Sequence, residues 1–196
     1  MMILWGPLRL LTAINSTLLS IGRFLAWVAL ALMVLAILAQ VFFRYVLGDA
    51  LNWSEELARF LMLWMTGLIA PSAYRWGGFV SIDMLPQALS HVTGTILNLV
   101  LLSVAMVVLV VGVSLGYSEV TGFAGKFASP SLKVPLSLVG GADIKVLKAY
   151  MMASLLVCMV LMFMVNIELM LRALIGLLDP DADLPRDPAM IAAGSD

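Results

Sequence analysis

The chain has 196 residues, of which 63% are apolar and only 12% charged, with a mean hydropathy of +1.08. A soluble domain carries about twice that charged fraction, and so short a chain has too little interior to hide this much apolar surface. The composition is that of an integral membrane protein. Eleven basic against twelve acidic residues leave no basic footprint for nucleic acid, the single Cys158 cannot close an internal disulfide, and the single His91 excludes a bis-histidine haem within this chain.

The first segment, residues 1–23, is amphipathic. Leu10, Leu11, Ile14, Leu18 and Ile21 fall on one helical face, and Arg9, Thr12, Ser16, Ser20 and Arg23 on the other. It reads either as a helix lying in the headgroup region or as a polar extension of the first membrane span. A cleaved signal peptide is disfavoured, because the apolar core begins late and exceeds the usual length of about 7–15 residues. A spanning helix needs about 20 mostly apolar residues. Four runs approach this: residues 24–43, 57–74, 92–117 and 149–167. Lipid offers the backbone no partners, so such runs are helical, and none alternates as the strands of a membrane barrel do. The predicted fold is therefore an all-α, integral membrane four-helix bundle over residues 24–171, followed by an acidic, Pro-containing tail from 172 to 196 with a disordered composition.

The densest polar cluster, Arg44 to Phe60, lies between the first two runs. Gly48-Asp49 signals a turn. Asn52 or Ser54 is placed to cap the next helix, with Glu55 and Glu56 at its positive end and Glu55–Arg59 at i,i+4 spacing. Tyr45 and Trp53 suit a membrane interface. Starting a helix accounts for these residue types but not for so many charges beside hydrocarbon, where ionised groups are costly. The cluster is expected to pair within itself and with a partner protein.

The loop 75–91 holds Trp76, Gly77, Gly78, Asp83 and His91, and the loop 118–148 is punctuated by Gly122, Gly125, Pro130, Pro135, Gly140 and Gly141. Neither supplies a metal set or a nucleophilic triad, so no catalytic residue, cofactor or metal is expected. The 14 methionines read as lipid-facing or packing residues. No acidic residue falls at the centre of a run, which argues against a substrate pathway through this chain alone. Small residues in the third run, Gly94, Ala105, Gly112 and Gly116, are expected to let a partner helix approach closely. Charge does not orient the protein. Arg9, Arg23, Arg75, Arg172 and Arg186 on one side face Arg44, Lys126, Lys133 and Lys145 on the other, joined by Arg59 and Lys148 at the span edges.

Arg44-Tyr45 at the end of the first span, then Trp53-Ser54-Glu55-Glu56-Leu57, Arg59, Gly77-Gly78 and Ile82-Asp83 resemble the small membrane subunit of tripartite ATP-independent periplasmic (TRAP) transporters, the DctQ-like family. Ser129 to Pro135 is similar to a later family element. The likeness is densest from Val41 to Leu85. It departs where many members carry a histidine shortly before the Asp83 element, since Phe79, Val80 and Ser81 stand there.

The resemblance implies a bacterial inner-membrane protein with both termini cytoplasmic. It would scaffold a large multi-span subunit for sodium-coupled uptake of a small organic acid delivered by a periplasmic binding protein. On this reading Arg44, Tyr45, Trp53, Glu55, Glu56, Arg59 and Asp83 are the candidate partner-interface residues, and the loops 44–56 and 118–148 face the periplasm. Competing classes are a homodimeric four-helix exporter, which would need a charged site inside the bundle, and a membrane anchor of a redox complex, which would need haem or quinone ligands.

Overall fold

The computed structural model describes residues 2–48, 51, 53–77, 91–134 and 144–178. Four helices dominate: α1 (Met2–Phe42), α2 (Ser54–Arg75), α3 (His91–Thr121) and α4 (Lys148–Leu178). Three stretches, in α1, α3 and α4, are long and apolar enough to cross a membrane: Gly6–Leu47, Thr93–Thr121 and Lys148–Leu178. Among the described residues the fold is all-helical apart from one short ribbon. α2 is the exception in composition, with Glu55, Glu56, Arg59 and Arg75 among its 22 residues.

Residues 8–23 and the first span form one unbroken helix. In its first part Leu10, Ile14, Leu18 and Ile21 are exposed, while Leu8, Asn15 and Leu19 are buried. A helix in a bilayer turns apolar residues to lipid, so the apolar stripe faces out here and the buried side carries Asn15 between two leucines. α1 passes into a π-helical turn, Phe43–Leu47, closed by Gly48 at φ +71°, whose amide donates to the Phe43 carbonyl. This left-handed conformation is one that glycine adopts without steric penalty. At the start of α2, the Leu57 amide donates to the Trp53 carbonyl at 3.0 Å. Ser54 does not accept from the helix as a cap would. It is buried, and its hydroxyl donates back to the Leu51 carbonyl at 2.8 Å. The alternative cap Asn52 lies outside the described residues. α4 continues to Leu178, so residues 172–178, assigned to the tail from sequence, are helical; residues 179–196 lie outside the described residues.

The chain divides into two compact units, each drawing on all four helices. The first comprises Met1–Ile21, Ala70–Gly112 and Met159–Asp196. Its buried residues are Leu8, Asn15 and Leu19 from α1; Pro71, Ser72 and Arg75 from α2; Gly94, Leu102 and Leu109 from α3; and Val165, Asn166, Glu168 and Ile175 from α4. The second comprises Gly22–Ile69 and Val113–Cys158. Its buried positions are small: Gly22, Ala26, Ala29, Ala36, Ser54, Gly67, Gly116, Gly125 and Ser154. A Cβ on Gly67 would lie 2.8 Å from the Ser154 carbonyl oxygen, and one on Gly116 would lie 3.2 Å from the Leu156 Cα. Within the first unit, a Cβ on Gly112 would meet Met159 Sδ at 2.9 Å. The glycines Gly112 and Gly116, expected to face a partner helix, are therefore used within the chain, against α4.

The second unit also holds the ribbon. In the segment read as a punctuated loop, the described residues include a 3₁₀ turn, Ala124–Lys126, and two antiparallel strands, β1 (Ala128–Val134) and β2 (Ile144–Leu147). The register pairs Ala128 with Leu147, Lys133 with Lys145 and Val134 with Ile144, with an irregularity between the first two pairs. Its base is closed by the Lys148 amide donating to the Phe127 carbonyl at 2.9 Å, and Phe123 packs edge-on against Phe127 at 5.0 Å.

Candidate functional site

Two polar groupings stand out, one in each unit. In the first unit, Glu168 projects from α4 into a set of donors carried by three helices, and its side chain is fully buried. One carboxylate oxygen, Oε1, receives Arg75 Nη2 from α2 at 2.8 Å and Arg172 Nη2 and Nε, one helical turn on, at 2.7 and 3.0 Å. Thr12 Oγ1 from α1 also donates to it, at 3.2 Å. The other oxygen, Oε2, receives Asn15 Nδ2 at 2.8 Å, and the same amide reaches the Met164 carbonyl at 3.3 Å. The two guanidiniums also touch Thr12: Arg75 Nη2 donates to its carbonyl at 3.4 Å and Arg172 Nη2 to its hydroxyl at 3.3 Å. Arg75 is 3% exposed at its side chain and Arg172 19%.

A second node completes the set of helices. Tyr74 Oη donates to Asn166 Oδ1 at 2.6 Å, and Asn166 Nδ2 donates to the Leu102 carbonyl of α3 at 3.1 Å. Neighbours in sequence, Tyr74 with Arg75 and Asn166 near Glu168, thus tie α1, α2, α3 and α4 together. Among the described residues, no buried side-chain nitrogen or oxygen lacks a hydrogen-bond partner. The physical need is plain: an unpaired buried polar group costs several kcal/mol in order of magnitude, and an unpaired charge costs more. A carboxylate engaged by two guanidiniums, an amide and a hydroxyl is an anchor, and its lone pairs are already committed.

None of the node's residues was singled out as a site from sequence. Glu168 and Arg172 lie just beyond the apolar run 149–167, Arg75 opens the loop 75–91, and Thr12 lies on the polar face of the amphipathic first segment. A usable signal was present in Asn15. A lone amide among Leu11, Ile14, Leu18 and Leu19 of a membrane helix requires a hydrogen-bond partner from another helix.

The second unit holds the cluster that the sequence marked. Arg44 and Tyr45 sit in the π-helical turn, with the guanidinium carbon 5.9 Å from the ring centre, and both are exposed. Trp53 is exposed just before α2; Glu55 and Arg59 are exposed and Glu56 half-buried in its first turns. Among the described residues, no ion pair joins Glu55 to Arg59, so that expected i,i+4 pair is not formed. Both side chains are exposed, and an exposed ion pair gains little. Asp83 lies outside the described residues. Further along α2, Trp64 Nε1 donates to the Tyr150 carbonyl of α4 at 3.1 Å.

These two arrangements define a class: a multi-pass membrane protein whose buried polar groups fasten its own helices. A family model described as tripartite ATP-independent periplasmic transporters, DctQ component, matches residues 33–176, and the chain belongs to that family. The resemblance drawn from Arg44 to Asp83 is thereby borne out, and the family is non-enzymatic. Its tripartite organisation implies a large membrane subunit and a periplasmic binding protein as partners. No curated protein and no solved structure matches the chain.

Proposed function

We propose that this chain is the scaffold of a secondary-active TRAP transporter: it holds the large membrane subunit while that subunit takes up a small organic acid with sodium. The observation that carries this reading is the Glu168 node. The ionisable groups that enter the described interior are consumed in binding helix to helix, which suits a chain built to stay rigid beside a moving partner. α2 serves as the fourth span, its charges gathered at its ends. Both termini are cytoplasmic in a bacterial inner membrane, which sets the loops 44–56 and 118–148 on the periplasmic side, where the binding protein arrives. Arg44, Tyr45, Trp53, Glu55, Glu56, Arg59 and Asp83 then form the contact region for partners.

The test is a pull-down of the tagged chain from native membranes in mild detergent, with mass spectrometry of what accompanies it. A large multi-span protein in equal amount is the expected result. Recovery of the chain alone, as a stable dimer, sinks the scaffold reading and favours an exporter. If the large subunit is present, Glu56→Lys should lower its recovery while the chain still inserts; unchanged recovery removes the charged cluster from the interface.

A further inference from the structure

The lengths of α3 and α4 fix where the ribbon meets the bilayer. Their apolar stretches, Thr93–Thr121 and Lys148–Leu178, have 29 and 31 residues, which is roughly 43 and 46 Å at about 1.5 Å per residue. A bilayer with its headgroup layers measures about 40–45 Å. The end of α3 and the start of α4 therefore reach a headgroup layer, and the ribbon springs from both.

The chain after α3 does not leave that level at once. A Cβ on Gly125 would lie 2.6 Å from the Val120 carbonyl oxygen and 3.3 Å from the Ala149 Cβ. Its bare backbone thus packs back against the last turn of α3 and the first of α4. The Lys126 amide donates to the Phe123 carbonyl at 3.2 Å and closes the turn, and the Lys148 amide bonded to Phe127 holds the base of the ribbon beside it.

What this turn presents is aromatic and cationic. Phe123 is 78% exposed and Phe127 50%, and Tyr117 and Tyr150 are exposed on the adjoining turns of α3 and α4. Lys126 and Lys148 are exposed, and among the described residues neither is paired with a carboxylate. Aromatic rings and lysines are the residues that suit a headgroup layer: the rings and the lysine stems enter the acyl boundary while the ammoniums stay at the phosphates. The balance of charge names the kind of lipid. Lys126, Lys133, Lys145 and Lys148 stand in the segment 118–148 against Glu119 and Asp143. The ribbon register sets Lys133 opposite Lys145, and like charges at opposite positions weaken a pairing. Anionic headgroups relieve such an excess.

We infer that the base of the ribbon is a docking surface for anionic phospholipid, with Phe123 and Phe127 against the upper acyl chains and Lys126 and Lys148 on the phosphates. The surface continues the bilayer contact of α3 and α4 beyond the ends of their spans. The inference rests on the membrane class of the chain and stands whether or not the scaffold reading does.

The experiment uses the full chain in native membranes with its natural partners. Photoreactive benzoylphenylalanine is placed in turn at Phe123 and Phe127, and at Val107, an exposed apolar position within α3, to register the lipid yield of a span. After illumination, adducts are identified by mass spectrometry. Lipid adducts at both phenylalanine positions, at no less than a third of the Val107 yield, are expected. Adducts to a protein instead, or no adduct where Val107 gives one, overturn the inference. The lipid class is read by native mass spectrometry of the protein exchanged into equimolar phosphatidylglycerol and phosphatidylcholine. The natural chain should retain phosphatidylglycerol over phosphatidylcholine at least threefold. The double variant Lys126→Gln with Lys148→Gln should lower that ratio at least twofold, and Lys126→Arg with Lys148→Arg should keep it. Equal retention of the two lipids by the natural chain, or an undiminished ratio in the Gln variant, overturns the inference.

Discussion

The two units of this chain solve the same problem, holding helices together where water gives no help, with different emphasis. The first unit uses long polar side chains: Glu168, Arg75, Arg172, Asn15 and Thr12 reach across the gaps between helices. The second removes side chains and lets backbones meet, as Gly67 does at Ser154 and Gly116 at Leu156. Between apolar helices in lipid there is no hydrophobic drive toward association, so close packing and interhelical hydrogen bonds supply it. Polar side chains tolerate distance but not loss of a partner. Small residues tolerate loss of polarity but not one added carbon. The units should therefore fail differently.

The largest effect is expected at Glu168. Glu168→Ala leaves Arg75 and Arg172 facing each other without the carboxylate, and removing one partner of a buried pair costs about 3–5 kcal/mol. Thermal unfolding of the purified protein in detergent measures this, and an unchanged midpoint would show that the node is not a fastener. Gly67→Ala should come next, at about 1–3 kcal/mol, because the new methyl meets backbone that cannot rotate away. A loss as large from Gly6→Ala, where an added Cβ meets nothing within 4 Å, would dissolve the contrast. Tyr74→Phe deletes the 2.6 Å bond to Asn166 and should cost about 1 kcal/mol, read from the same unfolding curves. Glu55→Gln, at an exposed position, should stay within about 0.5 kcal/mol. A larger change in the isolated chain would mean that the helix start has an internal role.

The spans were legible in the sequence because lipid enforces them: twenty apolar residues without charge have few alternatives, and α1, α3 and α4 form over the runs that show this. Where each span stops was less legible. Arg75 and Glu168 look like the ends of apolar runs, yet they are buried against each other, because a charge with its counter-charge at hand does not need water. Which side of α1 turns inward was also hidden. Leu10, Ile14 and Leu18 form the visible apolar stripe, and in water that stripe would mark the core; here it faces out, and Asn15 marks the inside. The ribbon Ala128–Leu147 depends on pairing between segments separated by Pro135, Gly140 and Gly141, and short-range patterning does not reveal such pairing. The charged cluster from Arg44 to Arg59 was visible as residues, but its meaning lies in what binds it.

The Glu168 node also orders events in time. Thr12 and Glu168 are 156 positions apart, so a ribosome has made α1, α2 and α3 before the carboxylate that satisfies Arg75 and Asn15 exists. Until α4 is threaded into the bilayer, a guanidinium and an amide wait without their acceptor, and the nascent protein remains recognisable as unfinished. Arrival of the last helix closes the node, so a single contact joins the first described helix to the last.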